Sequence, residues 1–340
     1  MSGKMTELKT VIISRTDSLG DVMLTLPMAG ILKTEFPSCR VIFLGRSYTR
    51  PLISCCRHID QFLDWDELKK AGKNNIDSVF RDLKADAILH VFPDKEIAYS
   101  SAKAEIPLRI GTSHRFFHLF TCNRRIHFSR RNSDLHESQL NLKLLKGLGI
   151  STLYSLAELN KLSGFNPPWA LNPEFASLLS ADKFNLILHP RSRGNGREWG
   201  LDYFEKLARL LPADRYRIFV SGTREEGDSM RDFIRRNPAI TDITGKMNLE
   251  EFISFIARAN GLVASGTGPL HIASALGKKV VGIFPPIRPI HPGRWAPIGE
   301  HASFLVLDKD CSDCRKSGDC QCIRDISPEQ VAEKLEAGRK

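Results

Sequence analysis

A glycine-threonine-glycine turn between two apolar segments is the strongest sign of a binding site in this sequence. In the stretch LVASGTGPLHIASALGKKVVGIF, which begins at Leu262, a strand-like segment runs directly into Gly266, Thr267 and Gly268. Proline follows in the first turn of the next helix, where it is favoured. Glycines let the backbone approach a ligand, and the N–H groups of a first helical turn favour a phosphate or diphosphate. His271 either donates to a phosphate oxygen or packs in the core, and an ordinary strand-to-helix turn is the alternative for the loop.

A second loop carries arginines where another predicted strand ends. In LHPRSRGNGREWGLDYFEKLARLL the strand ends at His189, and the loop holds Arg191, Ser192, Arg193 and Arg197. Ligands of open α/β sheets bind outside the carboxyl ends of the strands. Arginine suits phosphate because its guanidinium group donates two parallel hydrogen bonds. The loop is therefore either a phosphate-binding loop or a flexible basic loop.

An acidic residue, Asp21, stands at the expected start of the first helix. The stretch SRTDSLGDVMLTLPMAGILKTEFP has a single glycine, Gly20, in its first turn, whereas a dinucleotide-binding turn has three spaced glycines. A carboxylate in a first helical turn is favourably placed relative to the helix dipole. Asp21 therefore either caps the helix or acts as a general base on a hydroxyl within hydrogen-bond reach.

The elements that must position these residues alternate between strands and helices in both halves of the chain. Apolar segments predict strands over Thr10–Ser14, Arg40–Gly45, Ala85–Val91, Leu108–Gly111, Phe184–His189, Tyr216–Ser221, Gly261–Ser265 and Lys278–Phe284. Helical spacing predicts helices over Asp21–Phe36, around Pro51–Ile59, and over Leu135–Leu148, Leu201–Leu211, Asn248–Ala259 and Pro328–Glu336. This alternation predicts an α/β fold with doubly wound parallel sheets.

The chain is long enough for two domains. The pattern weakens between Ser151 and Asp182, where SGFNPPWALNP concentrates proline, glycine and asparagine. We predict one Rossmann-like domain over residues 1–165, a second over residues 166–325, and a cleft between them. The closing helix, within residues 326–340, is expected to pack back on the first domain.

The composition and net charge of the chain limit the classes of protein to which it can belong. The 340 residues carry a net charge of +10 and include eight cysteines. No apolar run reaches the ~18 residues of a membrane-spanning helix, and the N-terminus lacks the apolar stretch of a signal peptide. We therefore expect a cytoplasmic protein. The charge suits a nucleic acid, an anionic membrane surface or a phosphorylated substrate, and a solvated basic face is the alternative.

Two further segments have open interpretations. Cys311, Cys314, Cys320 and Cys322 form a C-x2-C-x5-C-x-C pattern, which holds either a structural zinc or, as we favour, reduced thiols. The segment Ser113–Arg131 has five arginines with interleaved aromatic residues. It is read as an RNA-binding surface, as a surface for an anionic acceptor or membrane, or as a solvated basic face.

Taken together, the motifs resemble those of the lipopolysaccharide heptosyltransferases, the inverting GT-B enzymes of glycosyltransferase family 9. The resemblance covers most of the chain and rests on Leu19-Gly20-Asp21 through Pro27, Arg197-Glu198-Trp199, Gly222 with Glu225 or Glu226, Lys246-Met247-Asn248-Leu249, and GTGPLHIASALG from Gly266. Two positions depart from the family pattern. Arg197 stands where the family commonly has lysine, and Gly266 stands where it has aspartate.

The resemblance implies a GT-B fold in which two Rossmann-like domains face a central cleft, with Asp21 as the catalytic base. It implies metal-independent transfer of heptose, without a cofactor, from ADP-heptose to an inner-core lipopolysaccharide or lipid A acceptor. The implied donor-binding residues are Ser192, Arg197, Glu225, Glu226, Met247, Gly266, Thr267, Gly268 and His271. The implied location is cytoplasmic and peripheral on the inner membrane, with its anionic surface as a partner and no nucleic-acid partner.

Gly266 leaves the donor sugar open, because the family's aspartate at this position is expected to touch that sugar. One alternative is therefore a family 9 GT-B transferase that uses a different nucleotide sugar. An alternative of another class is a non-catalytic nucleic-acid-binding protein, which would use the arginine-rich segment and a zinc-bound cysteine cluster.

Overall fold

The computed structural model describes residues 7–130, 133–192, 194, 196–309, 311 and 320–338. The chain divides into two compact units between Asn166 and Pro167, one residue beyond the expected boundary. Each unit has a hydrophobic core of its own. Among the described helices, none is both long and apolar enough to cross a membrane.

The first unit is built on one parallel sheet. Its strands are β1 (Thr10–Ser14), β2 (Arg40–Gly45), β3 (Gln61–Asp64), β4 (Ala87–His90), β5 (Leu108–Thr112) and β6 (Arg124–Ile126). They lie in the order β3-β2-β1-β4-β5-β6. In the sheet centre, Ile12 of β1 pairs with Ile42 of β2 and Ile88 of β4, and all three are fully buried. Continuous apolar strands of this kind are typical of a sheet covered on both faces.

Short helices connect these strands. The helices are α1 (Leu19–Met23), α2 (Leu26–Glu35), α3 (Arg50–Ser54), α4 (Trp65–Lys70), α5 (Lys73–Asp82), α6 (Lys95–Lys103), α7 (His118–Thr121), α8 (Glu137–Leu142) and α9 (Leu156–Leu162), with 3-10 turns at Ser47–Thr49 and Lys143–Leu148. The single helix predicted over residues 21–36 is in fact two helices. Pro27 lies in the first turn of α2, where its missing backbone N–H is tolerated, so a new helix begins there.

The second unit repeats the same topology. Its strands are β7 (Phe184–His189), β8 (Tyr216–Val220), β9 (Thr241–Asp242), β10 (Gly261–Ser265), β11 (Lys279–Ile283) and β12 (Ala302–Leu305). They form a parallel sheet in the order β12-β11-β10-β7-β8-β9. Counted within each unit, both sheets have the 3-2-1-4-5-6 order of Rossmann folds. The prediction of two doubly wound α/β units is confirmed.

One helix of the second unit begins with two reciprocal hydrogen bonds between side chain and backbone. The helices of this unit are α10 (Pro173–Ala176), α11 (Leu201–Leu210), α12 (Arg224–Ser229), α13 (Arg231–Arg236), α14 (Leu249–Arg258), α15 (Gly268–Ala275), α16 (Pro292–Trp295), α17 (Gln321–Arg324) and α18 (Pro328–Glu336). At the start of α14, Glu251 N donates to Asn248 Oδ1 and Asn248 N donates to Glu251 Oε2, both at 2.9 Å. This reciprocal pair is a capping box.

The closing helix α18 packs within the second unit, and its expected contact with the first unit stays a prediction. Val331 and Leu335, one turn apart, are buried in the same core as Leu207 of α11. The helix packs against α11 and β11. Its apolar stripe is therefore used within the unit that contains residues 167–340.

Candidate active site

Asp21 lies in α1, which follows the carboxyl end of the central strand β1. The N-terminal cap position of α1 is Ser18, whose side chain makes no capping hydrogen bond to the described residues. Ser18 Oγ donates to Asp21 Oδ2 at 2.5 Å, and Arg15 Nη2 donates to the other carboxylate oxygen. The Asp21 side chain is 18% exposed. Side chains, not the helix N-terminus, hold this carboxylate, so the helix-capping interpretation is wrong.

Arg15 gathers several carboxylates around one buried guanidinium group, and we call Arg15, Asp17, Asp21, Arg130 and Glu137 the Arg15 cluster. Arg15 Nε and Nη2 donate to the two oxygens of Asp17 at 2.7 and 2.9 Å. Arg15 Nη1 donates to Glu137 Oε1 at 3.3 Å, and Arg130 Nε donates to the same oxygen at 3.1 Å. Arg15 is 3% exposed and Glu137 is 1% exposed. The cluster is thus largely removed from solvent.

Asn141 of α8 connects the Arg15 cluster to the helices near Asp21. Its Oδ1 accepts from Arg15 Nη1 at 3.0 Å and from Arg130 Nη2 at 2.9 Å. Its Nδ2 donates to Leu24 O at 3.2 Å, in the junction between α1 and α2. Glu137 and Asn141 were not predicted from the sequence. The one available signal was a pair of polar residues four apart in an amphipathic segment.

Three carboxylates share two guanidinium groups in the Arg15 cluster. Burial and the neighbouring charge of Asp21 raise the pKa of Asp17 to about 6, although Arg15 acts in the opposite direction. Burial alone would lower the pKa of Arg15, but the charges of Asp17, Asp21 and Glu137 raise it above its ordinary value. Arg15 therefore stays charged. Asp17 takes up a proton at a higher pH than an ordinary aspartate does.

In the second unit, the glycine-threonine-glycine turn joins β10 to α15 as predicted. Thr267 is the N-terminal cap residue of α15, but its side chain makes no capping hydrogen bond. Thr267 Oγ1 is buried and has no hydrogen-bond partner within the part of the chain that the structure describes. His271, on the first turn of α15, is 5% exposed. A buried hydroxyl and an uncapped helix N-terminus are suited to oxygen atoms of an anionic ligand.

The basic loop after β7 packs against this turn. A Cβ atom added at Gly196 would lie 3.2 Å from the carbonyl oxygen of Gly266, so the two backbones are close. Glu198 connects the end of the loop to its start. Its carboxylate accepts hydrogen bonds from Arg191 Nη1 at 2.8 Å and from Ser192 N at 2.9 Å. Ser192 is buried as a result. The loop therefore has an internal ion pair.

Trp199 anchors the end of the basic loop. Its indole ring is fully buried, and Nε1 donates to Ile326 O at 2.8 Å. Arg197 lies between this anchor and Gly196, so its backbone is fixed next to the Gly266 turn. Arg193 lies outside the described residues.

The segments after β8 and β9 meet at the next position of the sheet. Gly245 N donates to Gly222 O at 2.9 Å, which joins the two loops. Glu226 accepts from Thr223 N at 2.7 Å in the capping box of α12, whereas Glu225 is solvent-exposed. Met247, half-buried, immediately precedes α14. Of the two predicted glutamates, Glu226 thus already has a structural role.

All four predicted donor-binding segments of the second unit lie at the carboxyl ends of adjacent strands. Thr267 follows β10, Arg197 follows β7, Glu225 follows β8 and Met247 follows β9. These strands are neighbours in the order β10-β7-β8-β9. Since adjacent strands are about 4.8 Å apart, the row extends over about 14 Å. The structure therefore brings to one edge of the sheet residues that the sequence separates by up to 70 positions.

Gly266 is matched to a buried aromatic ring that the sequence analysis missed. A Cβ atom at Gly266 would lie 3.0 Å from Cε1 of Phe284, which is closer than nearly all real Cβ contacts. Phe284, next to the end of β11, is 1% exposed. The ring therefore occupies the space that a side chain at position 266 would need.

The cysteine segment is only partly described. Cys320 and Cys322 are each 3% exposed and belong to the core of the second unit. Burial and contact with Cys311 raise the pKa of the Cys322 thiol. Cys314 lies outside the described residues. Within the residues described, no three histidine, cysteine or acidic side chains are grouped so as to hold a metal ion.

Comparisons with known proteins agree on one family. The profile of glycosyltransferase family 9 (heptosyltransferase) matches residues 131–322, more than half of the chain. A Haemophilus influenzae chain described as a glycosyltransferase is 24% identical over 330 residues, covering 92% of this chain and 90% of its own. The lipopolysaccharide core heptosyltransferase OpsX of the same organism is 22% identical, covering 81% and 79%. The structure of E. coli ADP-heptose lps heptosyltransferase II superposes with a TM-score of 0.74 at 17% identity, covering 97% of this chain and 98% of that one.

Proposed function

The chain belongs to glycosyltransferase family 9 and has the GT-B fold, and from that premise we propose that it transfers heptose from ADP-heptose to an inner-core lipopolysaccharide acceptor. Asp21 is the general base, and the anomeric carbon is inverted. The observation that carries the proposal is the row of donor-binding segments along β10, β7, β8 and β9. Similarity to OpsX and to the E. coli ADP-heptose lps heptosyltransferase II supports the donor and acceptor classes.

In the proposed reaction, an acceptor hydroxyl oxygen attacks the anomeric carbon from the face opposite ADP. The hydroxyl proton passes to a carboxylate oxygen of Asp21. The bond from the anomeric carbon to the β-phosphate oxygen breaks, and its electron pair leaves with ADP. Arg15 and Ser18 support this role because they orient the carboxylate while its side chain keeps 18% exposure. A base fixed in this way needs little reorganisation at the moment of reaction.

Charge on the departing ADP is stabilised by groups of the second unit. The guanidinium of Arg197 and the backbone N–H groups of Thr267 and Gly268 are donors aimed at the diphosphate. The unpartnered Thr267 hydroxyl supports this assignment, since a ligand oxygen would satisfy it. With this set of donors, the proposed transfer requires no metal ion and no cofactor.

The remaining donor-binding residues divide between phosphate and nucleoside. Ser192 and His271 line the diphosphate end, where the basic loop meets α15. Met247 packs on adenine, and Glu225 binds the ribose hydroxyls. We assign the ribose to Glu225 because the Glu226 carboxylate already accepts the Thr223 N–H in a capping box.

A second candidate is a family 9 enzyme that uses another nucleotide sugar. It is favoured by one observation, the Phe284 ring that fills the space beside Gly266. The buried ring leaves little room for a side chain at position 266, so the carboxylate of the family pattern is missing and a differently shaped sugar would be accepted. Both candidates have the same general base, the same inversion at the anomeric carbon and the same nucleotide-binding site.

The acceptor class also sets the expected location. A lipopolysaccharide precursor is anchored in a membrane, so we propose that the protein works in the cytoplasm, peripherally on the anionic inner-membrane surface. The basic charge of the chain, +10, supports attraction to such a surface.

The proposal is tested in two steps on the full chain. A thermal-shift panel of ADP, ADP-heptose, UDP-sugars and GDP-sugars identifies the donor, and selective stabilisation by ADP and ADP-heptose is expected. Asp21→Asn is then compared with the charge-matched surface variant Asp232→Asn, whose side chain is 78% exposed on α13. We expect Asp21→Asn to bind ADP normally but to lose turnover by about 10²–10⁴-fold. Full turnover by Asp21→Asn would remove Asp21 from its role, and stabilisation by another nucleotide sugar would select the second candidate.

A further inference from the structure

The first unit has a ridge of apolar side chains on its surface that do not pack into its hydrophobic core. Phe116, Leu119 and Phe120 are 76%, 49% and 67% exposed, respectively. In the sequence, the exposed arginines Arg115 and Arg124 flank them. We call these five residues the Phe116 patch. Clustered exposed aromatic side chains are uncommon on soluble surfaces and mark interaction sites.

The ridge is held outward by a buried histidine on the opposite side of α7. His118 is fully buried, and its Nδ1 donates to Thr112 O at 2.9 Å. Gly111 permits this close approach, since a Cβ atom there would lie 2.6 Å from His118 Nδ1. The rings of Phe116 and Phe120 also contact each other edge to face, with centroids 5.3 Å apart. The buried His118 and the contact between the two phenylalanine rings therefore hold the exposed rings in place.

The segment that carries the ridge has charged side chains of one sign only. The sequence from Ser113 to Arg131 contains no aspartate or glutamate, although Arg131 itself is outside the described residues. Arg125 Nη1 donates to the carbonyl oxygens of Leu119 and Cys122 at 3.3 and 3.2 Å, which fixes its positive charge beside α7. A positive rim around apolar rings is complementary to a layer of anionic headgroups above acyl chains.

The Phe116 patch begins at the edge of the sheet that carries Asp21. Phe116 follows the carboxyl end of β5, as Asp21 follows the carboxyl end of β1, whereas Arg124 lies within β6 and pairs with Ile110 of β5. The order β1-β4-β5 separates these strand ends by two spacings, about 10 Å. A membrane seated on the patch would therefore be near the edge that carries the proposed base.

We propose that the Phe116 patch docks the protein on an anionic lipid bilayer, with the phenylalanine rings in the interface and the arginines on headgroup phosphates. The purpose of docking, access to a lipid-linked acceptor, rests on the function proposed above. Single-stranded RNA fits the patch less well, because bases stack on aromatic rings and Leu119, which is 49% exposed in the middle of the ridge, offers none.

The test measures binding of the full chain to vesicles of phosphatidylcholine alone or mixed with phosphatidylglycerol. Phe116→Ser/Phe120→Ser removes the rings, and Arg115→Gln/Arg124→Gln removes two exposed charges. Leu153→Ser is the matched control, because Leu153 is 88% exposed in the same unit but outside the patch. Stabilisation by ADP, measured on every variant, reports folding and the nucleotide site separately.

We expect the wild type and Leu153→Ser to bind the anionic vesicles and not to bind the neutral vesicles. The double phenylalanine variant should bind at least about 10-fold more weakly, because two apolar anchors are lost. The double arginine variant should bind about 10–30-fold more weakly at low salt, and added salt should reduce this difference. ADP should stabilise all four proteins equally.

The proposal is overturned if the wild type does not bind anionic vesicles, or if the patch variants bind them as strongly as Leu153→Ser does. It is also overturned if the patch variants lose binding to single-stranded RNA while vesicle binding is kept. Loss of ADP stabilisation in the wild type itself would instead count against the proposed function. Vesicle binding does not depend on the donor, so the two failures are distinguishable.

Discussion

Arg15 and Glu137 are 122 residues apart in the chain, yet Nη1 of one donates to Oε1 of the other at 3.3 Å inside the first unit. Both side chains are almost completely buried. The same guanidinium group holds Asp21. The position of the proposed base therefore depends on α8, which lies more than one hundred residues later in the chain. Arg15 is in this sense a positioning residue.

Replacing Arg15 should destabilise the first unit. Arg15→Met leaves Asp17, Asp21 and Glu137 with Arg130 as the remaining cluster cation, and loss of one partner from a buried ion pair costs about 3–5 kcal/mol in the free energy of unfolding. Urea denaturation measures this loss. Arg235→Met, at a guanidinium that is 79% exposed, is the control and should cost little. Equal effects of the two variants would contradict a structural role for the Arg15 cluster.

Arg15→Lys separates positioning from stability. Lysine keeps the positive charge but lacks the planar fork that contacts several carboxylates at once. We expect kcat to fall while stabilisation by ADP is unchanged, because the nucleotide residues lie in the second unit. A loss of ADP binding with normal kcat would rule out the positioning role.

The pKa of Asp17 predicts a pH-dependent stability. Its pKa is about 6 in the folded protein and about 3.9 in an unfolded chain. Between these values the folded state binds more protons, so this contribution to stability is complete below about pH 4 and is lost as the pH rises through about 6. Over this range, the wild type should lose stability relative to Asp17→Asn as the pH rises, and the difference between their urea midpoints measures this contribution. The surface variant Asp232→Asn should keep the wild-type slope, and an unchanged slope in Asp17→Asn would assign the effect elsewhere.

The central strands were predictable from the sequence, and the sheet edges were not. β1, β2, β7 and β10 begin and end at the predicted residues, since strands buried on both faces have uninterrupted apolar segments. The edge strands β3, β6, β9 and β12 were missed. They are short and partly exposed, and β6 begins with two arginines. An edge strand forms because it pairs with the neighbouring strand. The pattern of apolar residues in its own sequence does not indicate that pairing.

The same distinction applies to the candidate site. Arg197 and Thr267 could be predicted because each follows a recognisable strand in the sequence, and Glu225 was predicted from the resemblance to the family. Glu137, Asn141 and Phe284 were missed because their importance comes from contacts between distant segments. Local motifs therefore located the predicted ligand-contacting residues, whereas the residues that hold or confine them required the fold.

The hydrogen bond of Trp199 predicts a specific loss on substitution. Trp199→Phe keeps a buried ring but leaves Ile326 O without its indole donor, which should cost about 1–3 kcal/mol in the free energy of unfolding. Stabilisation by ADP should also weaken, because Trp199 anchors the loop that carries Arg197. Trp295→Phe removes a comparable bond to Pro289 O, 2.8 Å long and solvent-exposed, and is the matched control. Similar losses in both variants would argue against the anchoring role.

The pair Gly266 and Phe284 predicts a non-additive effect. Gly266→Ala places a methyl group 3.0 Å from Cε1 of a ring that is 1% exposed, so overpacking should cost about 1–3 kcal/mol. In a Phe284→Leu background the same substitution should cost less, because the smaller side chain gives way. Urea denaturation of the two single variants and the double variant measures this coupling. Additive effects would mean that Phe284 does not confine position 266. Coupled effects would identify the ring as the reason why this chain departs from the aspartate of its family, and the double variant would then be the background in which to compare donor sugars.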